Sequence, residues 1–341
     1  MIFHPRRVVD WLENRTVYPI YMELGLTNRC NHRCVFCGLD WVERGRVEID
    51  GGVLESAIRD LARCGVKSVM FAGEGEPLLH PSACEFIRFA KESGLDVSLN
   101  TNGALLTEAI ARRCLPFLSW IRISLDAGTA GTYSTVHGVR ESEFEKTLGN
   151  IRAAARIKRE NNLDVTIGVQ TLVIPPNLEE LSETVRVVRA TGADNIQIKP
   201  YSHNPYSSSD LFVDPERLAA METELLSYAT ETFQVQYRRN TAGRIREGKT
   251  YAECHGLPFF ALTDARGNVI PCHLFYNQPE FCYGNLYERP FSAIWEGAQR
   301  KEVLDRLRKR GVAGCIGGCR LDVVNRYLHE LKHPHPHVNF I

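Results

Sequence analysis

Between residues 17 and 200 the chain alternates short β-rich apolar runs with longer stretches whose apolar residues recur at helical spacing. The runs predict strands at 20–26, 68–72, 97–100, 120–125, 165–173 and 195–199. The stretches between them predict helices at 53–64, 83–93, 108–114, 143–160 and 178–191, with a further helix at 215–228. Strand and helix in strict succession are the mark of βα units on a parallel sheet, so an α/β fold with six parallel strands is expected. After about residue 235 the texture changes to short strands, glycine turns and new cysteines, and a hairpin is expected from 261 to 270 around Asp264-Ala265-Arg266-Gly267-Asn268. The division is therefore an extension at 1–16, an α/β unit at 17–235 and a small α+β unit at 236–341. Ligands of such sheets bind beyond the carboxyl ends of the strands, which draws attention to the loop after the first strand.

That loop reads Thr27-Asn28-Arg29-Cys30-Asn31-His32-Arg33-Cys34-Val35-Phe36-Cys37. Three thiolates hold three irons of a [4Fe–4S] cube, which normally takes four, so one iron is left open for a ligand. Zinc is the rival, because Cys34-x-x-Cys37 alone is a zinc half-site. A zinc knuckle needs its second pair nearby, and the next cysteine, Cys64, lies in an amphipathic stretch. The loop resembles that of the radical S-adenosylmethionine (SAM) enzymes, including the aromatic Phe36, whose ring packs beside the adenine in that family. The resemblance implies a partial (β/α)6 barrel. It further implies that the open iron chelates the amino and carboxylate groups of SAM, and that one electron from the cluster splits the sulfonium to a 5′-deoxyadenosyl radical. The cofactor carries that chemistry and the protein supplies binding and exclusion.

Other segments carry the same resemblance. Gly75-Glu76-Pro77 is similar to the Gly-Gly-Glu-Pro motif whose backbone receives the SAM amine, although Glu74 stands where that motif has glycine. The Glu76 carboxylate is also a charge-assisted acceptor for an ammonium, while an ordinary turn is the competing reading. The third strand ends in Asn100-Thr101-Asn102-Gly103, where Asn100 or Asn102 is a candidate contact to SAM or substrate and a plain turn is again the alternative. Ser124 resembles the family's ribose or carboxylate contact. In Val136-His137-Gly138-Val139-Arg140 the arginine matches a residue that pairs with the SAM carboxylate through a bidentate fork, against the reading of a solvated side chain. Gln170 and Val173 are candidates to flank the adenine, and Gln197, Lys199 and Tyr201 to meet the substrate.

The C-terminal unit holds Cys254, Cys272, Cys282, Cys315 and Cys319, with Gly284-Asn285-Leu286 and Phe291-Ser292-Ala293-Ile294-Trp295 between them. This spacing resembles the SPASM/twitch extension of radical SAM enzymes. A full SPASM domain has seven cysteines for two auxiliary clusters, so the shorter type is expected, with Cys254, Cys272, Cys315 and Cys319 holding one [4Fe–4S] cluster. A zinc ribbon is the alternative. Cys282 is left over, either a small buried side chain or a hydrogen donor that quenches a radical.

Formal net charge is +0 and pI about 7.1, without the basic stripe of a nucleic-acid binder. No apolar run approaches a membrane span. Eleven cysteines in a 341-residue chain without a signal peptide point to cytoplasmic metal ligation over disulfides. One-cluster extensions accompany dehydrogenation of amino-sugar or cyclitol alcohols, so the first expectation is radical chemistry on a sugar, nucleotide sugar or nucleoside in natural-product or glycan biosynthesis. The alternative is modification of a ribosomal precursor peptide by thioether formation, epimerisation or cross-linking. About sixteen residues precede the first strand, too few for the leader-gripping domain of many peptide-modifying relatives, which favours the small molecule. The resemblance implies an external one-electron donor such as flavodoxin or ferredoxin.

Overall fold

The computed structural model describes residues 1–340. A single ten-stranded sheet runs through the chain in the order β10-β9-β8-β1-β2-β3-β4-β5-β6-β7. The strands are β1 (Tyr21–Leu24), β2 (Ser68–Phe71), β3 (Asp96–Thr101), β4 (Trp120–Ser124), β5 (Thr166–Val173), β6 (Asn195–Pro200), β7 (Gln234–Tyr237), β8 (Phe260–Thr263), β9 (Asn268–Ile270) and β10 (Gly284–Asn285). From β1 to β7 every neighbour is parallel. The six expected strands are all present, and β7 extends the row across residue 235, where a boundary was expected. The expected hairpin forms as β8 and β9, but β8 also pairs in parallel with β1, Tyr21 opposite Phe260 and Leu24 opposite Thr263. The C-terminal unit thus continues the first sheet instead of building its own.

Alternation along these strands separates two faces. Met22, Leu24, Val69, Phe71, Val97, Leu99, Ile121, Ile123, Ile167, Val169, Ile196 and Ile198 are buried against the helical layer, where Leu54, Ile58, Leu61, Phe86, Ile87 and Ile151 meet them. The other face carries Tyr21, Glu23, Ser98, Asn100, Arg122, Ser124, Gln170, Gln197 and Lys199. Parallel strands covered on both faces read as continuous apolar runs; a polar inner face marks the concave side of an unclosed barrel.

Helix starts follow from capping. Asp50 Oδ1 accepts from the amides of Gly52 (2.9 Å) and Val53 (3.1 Å) at the head of the helix Gly51–Arg63. Thr129 caps the helix Ala130–His137, which ends at Gly138 with φ +61°, the left-handed conformation that glycine adopts without strain. The expected helix at 215–228 is two, Pro215–Ala220 and Glu222–Ser227. The N-terminal helix Pro5–Leu12 buries Val8 with Val17, Phe259 and Leu328, fastening the start of the chain to its last helix, Asp322–Lys332.

Candidate active site

The cysteine loop follows β1 and is fixed from both sides. Asn28 and Thr27 hold it to Val47, whose amide donates to Asn28 Oδ1 (2.9 Å) and whose carbonyl accepts from Thr27 Oγ1 (3.0 Å). On the other side the amides of Arg33 and Val35 donate to the carbonyls of His137 and Val136, each 2.9 Å. Two glycines permit this approach. A methyl on Gly75 would collide with the carbonyls of Thr27 and Arg29, and one on Gly138 would stand 2.5 Å from the Arg33 carbonyl.

Cys30, Cys34 and Cys37 are half-buried and free. Burial raises the Cys34 thiol well above its ordinary value, with the nearby charges of Asp126, Cys37 and Cys30 adding to it, and Cys30 is raised too, again first by burial. Cys30 and Cys34 thus both lie in the field of Cys37, and a cluster's positive iron core would favour the thiolate form that burial opposes. The Arg44 guanidinium donates to Cys37 Sγ at 3.0 Å. His137 lies wholly buried, its Nδ1 3.4 Å from Cys34 Sγ. The Asp126 amide donates to His137 Nε2 at 3.1 Å, which assigns the ring proton to Nδ1 and makes that nitrogen the donor to sulfur. Tyr133 stacks on His137 with centroids 4.2 Å apart, and Phe36 meets it edge-on at 5.5 Å.

Several expected residues are elsewhere occupied. The Glu76 carboxylate is spent inside the fold, Oε1 accepting from Thr101 Oγ1 (2.7 Å) and the Leu78 amide (3.1 Å), Oε2 from the Asn102 amide (2.8 Å). It braces the turn and does not face a ligand ammonium. Asn102 is likewise used, its Nδ2 donating to Asn31 Oδ1 (2.7 Å) in the cysteine loop and its Oδ1 accepting from Ala104 (3.0 Å). Val173 has the parity of Thr171 and Val169, so its side chain is buried against the helices, while Gln170 and Leu172 face inward. The Arg140 side chain is 87% exposed beside Glu143, one turn past the end of the preceding helix. Cys282 sits beside the edge strand β10, its thiol donating to the Gly284 carbonyl at 3.3 Å and lying 3.8 Å from Asn268 Oδ1 on β9. Asn100, Ser124 and Gln170 do face inward, and Gly75 and Pro77 stand at the head of β2 beside the loop.

The auxiliary cysteines lie in one another's field. Burial pushes Cys254 up to about 12, a hydrogen bond from Asn325 Nδ2 (3.4 Å) opposing and the thiols of Cys319 and Cys315 adding to it. Cys272 is raised by burial, then by the same neighbours. Among the described residues the one group of possible ligand atoms lying within 4.8 Å of one another is His32, Cys34 and His137.

Two ties bind the auxiliary cysteines to the barrel, and neither was expected from sequence. Buried Glu23 on β1 accepts from His273 Nε2 (2.6 Å), Tyr21 (2.8 Å) and Arg320. His273 and Arg320 each directly follow an auxiliary cysteine. Glu74, the residue replacing the motif glycine, turns to the hairpin and accepts from the Ala265 amide at 2.9 Å.

The profile of the Radical SAM superfamily matches residues 24–188, and that of SPASM, an iron-sulfur cluster-binding domain, matches 254–320. The AdoMet-dependent heme synthase of Methanosarcina barkeri is 28% identical over 306 residues, covering 83% of each chain. The PqqA peptide cyclase of Rhodopseudomonas palustris is 26% identical over 321 residues, 89% of this chain and 82% of that one. Among solved structures, SuiB of Streptococcus suis bound to precursor peptide SuiA superposes with a TM-score of 0.68 at 16% identity, over 87% of this chain and 70% of the other. No helix among the described residues is long and apolar enough to cross a membrane. With its triple-cysteine loop at the head of a parallel sheet and a four-cysteine unit joined to the same sheet, the chain belongs to the radical SAM superfamily, uses SAM and two iron–sulfur clusters, and carries a SPASM domain.

Proposed function

We propose that this enzyme modifies a peptide, abstracting a hydrogen atom from one residue of a ribosomal precursor so that a cross-link, thioether or epimerised centre forms. The likeness to PqqA peptide cyclases from two organisms, over 89% and 81% of this chain, carries the reading. It ranks above the sugar or nucleoside substrate because the GTP 3′,8-cyclases that this chain also resembles match over 58% of it or less. The open barrel agrees, since among the described residues no strand joins β7 to β10.

When bound, the first cluster and SAM supply the radical that removes the hydrogen. The protein's part is to hold and shield. Cys30, Cys34 and Cys37 supply three thiolates, His137 and Arg44 donate hydrogen bonds to two of them, and the backbone about Gly75 lies where the SAM amine is received in the family. Phe36, Asn100, Ser124 and Gln170 stand for adenine, ribose and substrate. Cys254, Cys272, Cys315 and Cys319 hold the auxiliary cluster in the unit that follows residue 235. Eleven free thiols fit the reducing cytoplasm, where a flavodoxin or ferredoxin would deliver the electron.

Anaerobic incubation of the reconstituted enzyme with SAM, reductant and candidate peptides tests the reading. A substrate peptide raises 5′-deoxyadenosine release above the background and gains a mass change; release stimulated by UDP-sugars or nucleosides and by no peptide would overturn it.

A further inference from the structure

The inner face of the sheet carries positive charge that its own acids do not balance. Arg122 on β4 has the inward parity of Ser124, and Lys199 on β6 that of Gln197. Arg238 directly follows β7, its amide donating to the Ile198 carbonyl at 3.0 Å, and its side chain is exposed at the open edge of the sheet. The three interact, since the Lys199 ammonium is lowered first by burial and then by Arg238 and Arg122, and Arg122 by burial and then by Arg238.

Among the described residues none of the three has a carboxylate in ion-pair range. The acids of the same region are committed elsewhere: Glu23 to Arg320 and His273, Glu76 to Thr101 and Asn102, Asp126 to the Leu172 amide. Asp96 is at the far, N-terminal end of β3, beside Lys91. Like charges gathered on a partly buried face repel one another and forgo hydration, a cost that an anion placed among them removes.

We propose that Arg122, Lys199 and Arg238 bind oxyanion groups of the substrate, in the first instance the carboxylates of acidic side chains in the peptide proposed above, on which reading the peptide form of this inference rests. Arg122 offers a planar fork that matches a carboxylate in two hydrogen bonds, and Lys199 a compact ammonium with three donors. Arg238 at the rim attracts the same groups from solution, so association weakens as salt rises.

Binding to the holoenzyme with SAM tests this, using pentaglutamate and pentaglutamine peptides as probes and tricarballylate and inorganic pyrophosphate as free anions. Pentaglutamate should bind more tightly than pentaglutamine, and Lys199→Met and Arg238→Met should each weaken it tenfold or more, with Lys199→Arg restoring most of the loss. Iron content and SAM affinity report whether each variant is folded, and Arg238, being exposed, gives a variant whose folding is not at stake. Equal affinity for the two peptides, or unchanged pentaglutamate affinity in both Met variants, overturns the inference. Turnover of neutral peptides as fast as acidic ones overturns it and leaves the peptide reading standing. Lys199-dependent binding of tricarballylate or pyrophosphate, together with release of 5′-deoxyadenosine stimulated by small anions and by no peptide, upholds the cation row and overturns the peptide reading.

Discussion

His137 shows how one side chain can matter to a cluster it does not ligate. Its Nδ1 proton points at Cys34 Sγ because the Asp126 amide occupies the other nitrogen. Hydrogen bonds to cluster sulfurs raise the reduction potential. Removing a bond worth about 1 kcal/mol should lower the potential by about 40 mV for a one-electron couple. The His137→Phe variant, whose ring keeps the stack on Tyr133, is therefore expected to titrate at a more negative potential in an EPR-monitored redox titration; an unchanged midpoint would mean the sulfur receives no such bond. Glu74 has a different consequence. Burial, opposed by the Ala265 amide, pushes its carboxyl up to about 7 from an ordinary 4.5. Between those values the unfolded chain has lost a proton that the folded chain retains. Stability therefore falls as pH rises across this window, by about 3 kcal/mol in full. Glu74→Gln keeps an acceptor for Ala265 and should flatten that dependence in denaturant titrations at pH 5 and pH 8. Residues of this kind are hard to find from sequence. Cysteine spacing is local and therefore legible, whereas Glu74 and Glu23 act on partners some 190 and 250 positions away. For Val173 the reason is simpler: alternation gives the inner face to Gln170 and turns the Val173 side chain to the helices.

At the scale of elements, two β-strand heads and one helix end converge on the cysteine loop, and Gly138 is where the helix end meets it. Alanine there would need a left-handed conformation, at about 1–2 kcal/mol, and would press its methyl on the Arg33 carbonyl. Gly138→Ala should cost about 2 kcal/mol or more and weaken retention of the first cluster, read as a lowered melting temperature and reduced iron content. Alanine at Gly131 in the same helix, where nothing lies within 4 Å, is the control and should be neutral or slightly stabilising. That helix also marks a limit of sequence reading. Ala130–His137 contains threonine, tyrosine, serine and valine, weak helix formers with little amphipathic pattern, and it exists because Thr129 and Gly138 stop its ends. The six central strands were readable because their apolar runs are local, while β7, four residues long with one buried side chain, left too faint a period.

For the whole molecule, the pairing of β8 with β1 makes the auxiliary unit part of the barrel's wall. Shortening the chain to residues 1–250 would remove β8, β9 and β10 together with the partners of Glu23 and Glu74, and would bare the edge of β1. Such a bare edge invites pairing between chains, so this fragment should accumulate as aggregate when expressed, as judged by sedimentation; a soluble monomer would mean the barrel is self-sufficient. The pairing also imposes an order in time. Tyr21 waits for Phe260, 239 residues later in the chain, and at roughly 5–20 residues per second that is about 12–48 s of synthesis. Throughout that interval a nascent β1 has one side unmatched, and the sheet gains its β8–β10 flank only as the last third of the chain leaves the ribosome. Contacts so distant in sequence also slow the search for the native state. An enzyme whose first strand is completed by its eighth is therefore expected to gain soluble yield when that exposed edge is shielded during synthesis.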